Sequence, residues 1–165
     1  MSLVYIDARY ISVWPNGLAQ FTKKLVTDHL LDNILAGGHR VVILVTKESD
    51  LSRLEGIKIW REGLEIKEVA LTFVSLFFIK GLVRHSFYLS MHYHYPVINL
   101  LRSIVVIHDV MPIIEPSYFE RRSLFKRLFF KYYNAVLNRN SHIFSPSNFT
   151  LEQIKLHLGL KGQLL

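Results

Sequence analysis

The sequence predicts an α/β domain with a mainly parallel sheet and helices on both faces. Two apolar runs point there. Arg40–Thr46 (RVVILVT) and Ser103–Ile107 (SIVVI) are β-branched with no polar alternation, and strands of that kind need cover on both faces, as in parallel sheets. The chain up to Thr46 reads strand, helix, strand, which is the βαβ unit of Rossmann-like folds. Its 165 residues fit a single domain over 1–165.

Taken in order, Ser2–Ala8 is an apolar strand ending in Asp7, and Arg9–Asn16 is a loop with Pro15 near its end. A helix follows over Gly17–Ala36. Leu18, Phe21, Leu25, Leu30 and Ile34 form its apolar stripe, and Gly37-Gly38 ends it. Arg40–Thr46 is the second strand. Ile57–Trp60 and Leu64–Val69 are candidate short strands, Leu71–Val83 a helix, and Ser86–Leu89 a further candidate strand leading to the loop His92–Pro96. Ser103–Ile107 stops at His108-Asp109, with Pro112 and Pro116 beyond. Tyr118–Asn138 is a long helix and Ser141–Ser145 a short strand. Pro146 then starts a turn, and Ser147 or Asn148 caps a last helix running to Leu158 before Gly159.

Composition narrows the chemistry. Half of the residues are hydrophobic, which excludes a disordered chain. With no cysteine, a disulfide framework, a thiolate metal site and a cysteine nucleophile are all excluded. The net charge of +7 attracts polyanions: nucleic acid, anionic lipid or phosphorylated substrates. Met1–Ile6 lacks the basic and apolar regions of a signal peptide. The most apolar stretch, Leu71–Val83, is interrupted by Lys80 and is shorter than the ~20 residues of a spanning helix. A cytoplasmic protein, peripheral on the inner face of the plasma membrane at most, is expected.

In an open α/β sheet, ligands bind beyond the C-terminal ends of the strands. Three polar groups fall there: Asp7 to Gly17, His108-Asp109, and Ser145 to Asn148. Asn16-Gly17 opens a helix, whose free N–H groups and partial positive charge suit a phosphate; a tight turn and cap is the plainer account. His108 and Asp109 can hydrogen-bond a sugar hydroxyl or move a proton, or else satisfy loop carbonyls and cap a turn. His92 and His94 share a strand-like spacing, but two ligands fall short of what zinc takes, so no metal is expected. On Tyr118–Asn138, Phe125, Leu128, Phe129, Tyr132 and Val136 form a core stripe, while Arg121, Arg122, Lys126, Arg127 and Lys131 lie on the other faces. That basic face suits anionic lipid or simply solvent. No nucleic-acid motif accompanies it. Asn148-Phe149-Thr150 matches a glycosylation sequon by chance.

Three segments in this order resemble the N-terminal domain of glycosyltransferase family 4, the large retaining GT-B family. They are VYIDARYIS followed by NGLAQFTKKL, then SIVVIHDVMPIIEPSYF, then SHIFSPSNFTLEQIKLHLGL. The resemblance implies one half of a GT-B fold, the acceptor-side domain. The enzyme would transfer a hexose from a nucleotide-sugar to a glycan or lipid-linked acceptor, in bacterial surface polysaccharide or lipopolysaccharide assembly. It implies no metal and no cofactor beyond the nucleotide-sugar substrate. His108 would contact the transferred sugar and Asp109 would orient the acceptor or its own loop. Gly17, with Asn16, would lie near the diphosphate, and Ser145 and Ser147 would face the interdomain cleft. Gly17 stands alone where many members carry two or three glycines. The family's second, donor-binding domain is expected to be absent from this chain and supplied by further chain or a partner. The isolated chain is then expected to be inactive. A non-catalytic partner subunit or membrane-associated module of the same fold is the alternative, and a basic nucleic-acid-binding domain a third.

Overall fold

The computed structural model describes residues 2–11, 17–26, 30–47, 62–70, 86–91, 103–108 and 141–158. The elements are β1 (Leu3–Asp7), α1 (Gly17–Leu25), α2 (Leu31–Ala36), β2 (Arg40–Val45), β3 (Leu64–Glu68), β4 (Ser86–Ser90), β5 (Ser103–Val106), β6 (Ser141–Phe144) and α3 (Asn148–Leu158). The six strands form one sheet in the order β3-β2-β1-β4-β5-β6, and every pairing is parallel. The fold is α/β and Rossmann-like, as the uninterrupted apolar runs predict. Leu64–Val69 and Ser86–Leu89, candidates in the sequence, are both strands, each within a residue of its expected end. Ile57–Trp60, Leu71–Val83 and Tyr118–Asn138 lie outside the described residues.

Two-sided burial explains the composition of the central strands. Val4, Ile6, Val41 and Ile43 lie on the face that packs against Val26, Leu31, Ile34 and Leu35 of the α1–α2 region. Tyr5, Val42, Leu44, Tyr88 and Val105 point the other way and are also buried. A run such as VVILV therefore has no position left for a polar residue. β3, at one edge, is less buried: Glu65 and Glu68 are exposed, and Leu64, Ile66 and Lys67 are half-buried. Charges there discourage pairing with another chain.

The helix expected over Gly17–Ala36 is described as two pieces, α1 and α2, with wider π-type turns at Val26 and Leu30. Phe21 of the expected stripe is half-buried in α1, and a π turn shifts the register of the residues beyond it. Gly37-Gly38 ends α2 as expected. Gly38 has φ 74°, and the N–H groups of Gly38 and His39 donate back to the carbonyls of Leu35 and Ile34 at 2.9 and 3.3 Å. This is the Schellman arrangement, which needs a residue at ease in the left-handed region. The reversal delivers Arg40 into β2, beside Leu3.

Candidate functional site

The strand order places a crossover between β1 and β4, where the chain leaves one half of the sheet and starts the other. Ligands of such folds bind at the C-terminal edge beside that point. Here it is built from the ends of β1, β4, β5 and β6 and the starts of α1 and α3.

β1 ends in a buried latch. The Asp7 carboxylate accepts Arg9 Nε on Oδ1 and Arg9 Nη2 on Oδ2, both at 2.8 Å. Tyr88 Oη donates to Oδ2 at 2.8 Å, and Arg9 Nη1 donates to the Ala70 carbonyl at 2.9 Å. Asp7 and Arg9 side chains are both fully buried. Burial works against the Arg9 charge, but the hydrogen bond and charge of Asp7 outweigh it and hold the guanidinium above its ordinary range. The pair ties β1, β4 and the segment after β3 together. This corrects the expectation that Asp7 belongs to an open polar group: its carboxylate is spent in the interior. Tyr88 was not legible as a partner. Its alternation in SFYLS marks it as an inward residue, and a buried phenol needs an acceptor, but the sequence does not say which.

His108 follows β5 and is half-buried. Its Nε2 lies 3.0 Å from the Met91 carbonyl. A carbonyl only accepts, so Nε2 carries the proton. The ring meets Phe21 of α1 edge-on, with centroids 4.7 Å apart and planes at 84°. The Thr150 hydroxyl of α3 donates to the His108 carbonyl at 3.4 Å, a long bond and a weak one. Thus β4, α1 and α3 all touch this one residue. The plainer account of His108, a histidine that satisfies a loop carbonyl, is realised on Nε2. Nδ1 has no hydrogen bond to any described residue.

Burial holds His108 below the ordinary histidine value of 6.5, with the Met91 carbonyl pulling the other way. The folded state therefore binds fewer protons here than the unfolded chain. The stability this residue contributes is present above 6.5 and is lost as pH falls through the folded value. His108→Gln keeps an N–H for Met91 and does not titrate. Urea midpoints between about pH 7 and pH 5 should fall less steeply for this variant than for the wild type. Equal slopes would show that His108 has the same affinity for protons in both states.

Gly17 is exposed at the start of α1. An added Cβ would meet no described atom within 4 Å, and Gly17 is not among the positive-φ glycines. Neither the described packing nor the backbone conformation requires glycine there. Phe21 lies four residues on, about 6 Å along the helix, so His108 sits close to the helix start that Gly17 opens. The third group also reaches this edge. Ser147 caps α3, its Oγ accepting the Thr150 N–H at 3.5 Å, and Ser145 Oγ donates to the Ser147 carbonyl at 3.2 Å. Of the two expected caps, Ser147 and not Asn148 does the work. Its hydroxyl oxygen is engaged structurally, although the side chain is exposed.

Asn16, Asp109, His92 and His94 lie outside the described residues, as do Arg121, Arg122, Lys126, Arg127 and Lys131. Among the described residues, no three His, Asp or Glu side chains are grouped to hold a metal, and no helix is long and apolar enough to cross a membrane. An open apolar groove of about 310 Å³ lined by Val4, Ile34, Phe87 and Ile104 lies at the opposite, N-terminal ends of the strands. Its described lining is mostly apolar, with His39 and Tyr88 the residues that carry polar side-chain atoms.

Comparison with protein-family models, with curated proteins and with solved structures finds no match for this chain.

Proposed function

We propose that the chain is the acceptor-side half of a retaining GT-B glycosyltransferase. The complete enzyme would transfer a hexose from a nucleotide-sugar to a glycan or lipid-linked acceptor. The observation that carries the reading is the position of His108 at the C-terminal sheet edge, packed on Phe21 of the helix that Gly17 opens. The ordered likeness of the three segments to glycosyltransferase family 4 gives that edge its chemistry.

Each group then has a task. His108 donates from Nε2 to the protein and offers Nδ1 to a sugar hydroxyl that must donate. Gly17 leaves room for a diphosphate beside the N–H groups of α1. With Asn16 it stabilises negative charge as the sugar–phosphate bond breaks. Ser145 and Ser147 form the rim, and Asp109 orients the acceptor. The donor's nucleotide is held by a second domain, in further chain or a partner.

Two results test this assignment. On this reading half of the donor site lies outside 1–165, so calorimetry with UDP-glucose or GDP-mannose should give no micromolar dissociation constant for this chain alone. A micromolar constant would mean that the chain holds a complete nucleotide-sugar site. Arg121, Arg122, Lys126, Arg127 and Lys131 are proposed to hold the cleft near a lipid-linked acceptor. Each such charge near an anionic surface contributes about 1 kcal/mol, weakened by salt. Co-sedimentation should favour phosphatidylglycerol vesicles over phosphatidylcholine vesicles, and equal binding to both would reject the electrostatic contact.

A further inference from the structure

Phe21 reads in the sequence as one member of the apolar stripe of the first helix, and it is partly buried against the core. It does a second thing. Its ring stands at 84° to the His108 imidazole with centroids 4.7 Å apart, the edge-to-face geometry that aromatic pairs prefer. On another side of the same ring, Nε2 reaches the Met91 carbonyl at 3.0 Å. An imidazole turns softly about its Cβ–Cγ bond, and a flip exchanges each ring nitrogen with a ring carbon. The Met91 carbonyl rewards only an orientation that points an N–H at it. A flat aromatic wall beside the ring narrows the torsion range still further.

We propose that Phe21 is a positioning residue: with the Met91 carbonyl it fixes the His108 ring as the Nε2–H tautomer and reserves Nδ1 as the acceptor. A neutral imidazole in solution exchanges its proton between the two nitrogens, and its hydrogen bonds decide which one keeps it. Here both restraints come from elements on either side of the crossover, α1 and the end of β4. Phe21 follows Gly17 by one turn, so a displacement of the helix start by a bound phosphate would be felt at the His108 ring. The consequence is a preference in the site: Nδ1 can take a hydrogen bond from a hydroxyl but can give none to a phosphate or carbonyl oxygen. Among the described residues, burial lowers His108 and the Met91 carbonyl works against it, with no charged side chain contributing.

The proposal rests on the reading of His108 as the residue that meets a ligand, but its test does not depend on transfer activity. Ring nitrogens of the full chain, labelled with ¹⁵N at its eight histidines, are observed through their two-bond couplings to ring protons. His108 is assigned by its loss in His108→Gln. The expected wild-type pattern at neutral pH is a protonated Nε2 and an unprotonated Nδ1. Phe21→Leu, which stays apolar but removes the ring, should move both nitrogens toward averaged shifts and raise the titration midpoint toward 6.5. Phe21→Tyr, which keeps the ring, should restore the wild-type pattern. If Phe21→Leu does not fold, Phe21→Met is compared in the same way. A wild-type proton on Nδ1 would overturn the proposal. So would a folded Phe21→Leu or Phe21→Met protein whose His108 signals match the wild type; that second result leaves the role of His108 itself standing.

Discussion

Replacing Arg9 with methionine is expected to destabilise the domain by about 3–5 kcal/mol. Arg9 and Asp7 are both fully buried, and the carboxylate takes two guanidinium bonds at 2.8 Å. Without the cation, Asp7 loses both guanidinium bonds, and the Tyr88 hydroxyl still donates to it. It must then stay charged in a poorly solvating interior or take up a proton. The Ala70 carbonyl also loses the Arg9 donor, which weakens the tie between β1 and the segment after β3. Methionine fills most of the volume, so the loss measures the orphaned charge and not a cavity. The double replacement Arg9→Met with Asp7→Leu should recover most of it, because a buried ion pair and an apolar pair of similar size are close in free energy. Tyr88→Phe alone should cost about 1 kcal/mol. Urea unfolding of the four proteins checks the set. An Arg9→Met protein within 1 kcal/mol of the wild type would mean that water reaches Asp7.

The parallel sheet was legible because both faces of its central strands are buried, which leaves an apolar signature that needs no partner to be read. RVVILVT and SIVVI could be assigned from their own letters. The helix end at Gly37-Gly38 was legible for a similar reason: a left-handed cap is a local demand. The latch was not. Asp7 and Arg9 are two residues apart and look like any polar pair after a strand, and their burial depends on Tyr88 and Ala70, which arrive through non-local pairing. His108 was half legible. Its position after a central strand put it on the C-terminal edge, but nothing local to it in the sequence showed what holds the ring. It is held by Met91, 17 residues earlier, and by Phe21 from a different element, and neither contact has a mark in the sequence.

Those contacts decide how His108 should be tested. His108→Ala would remove the Met91 bond and the Phe21 edge contact, together about 1–3 kcal/mol of stability, and would mix folding with function. His108→Gln keeps a donor for Met91 and removes Nδ1. In the complete enzyme it should lower turnover by about 100-fold, the scale set by losing one group aimed at the reacting sugar. kcat and kcat/KM should fall together, because an interaction made mainly in the transition state contributes little to ground-state binding. A rise in KM alone would recast His108 as a simple binding residue. Unchanged kinetics in a folded variant would leave it a purely structural histidine, bonded to Met91 and nothing more.

The most direct measurement joins the chain to the donor-binding half proposed for it, supplies nucleotide-sugar and a lipid-linked acceptor, and reads the anomeric configuration of the product by proton NMR. The account predicts hexose transfer with the donor's configuration retained. Transfer with inversion, or no transfer from any nucleotide-sugar by a folded, donor-binding assembly, would contradict it.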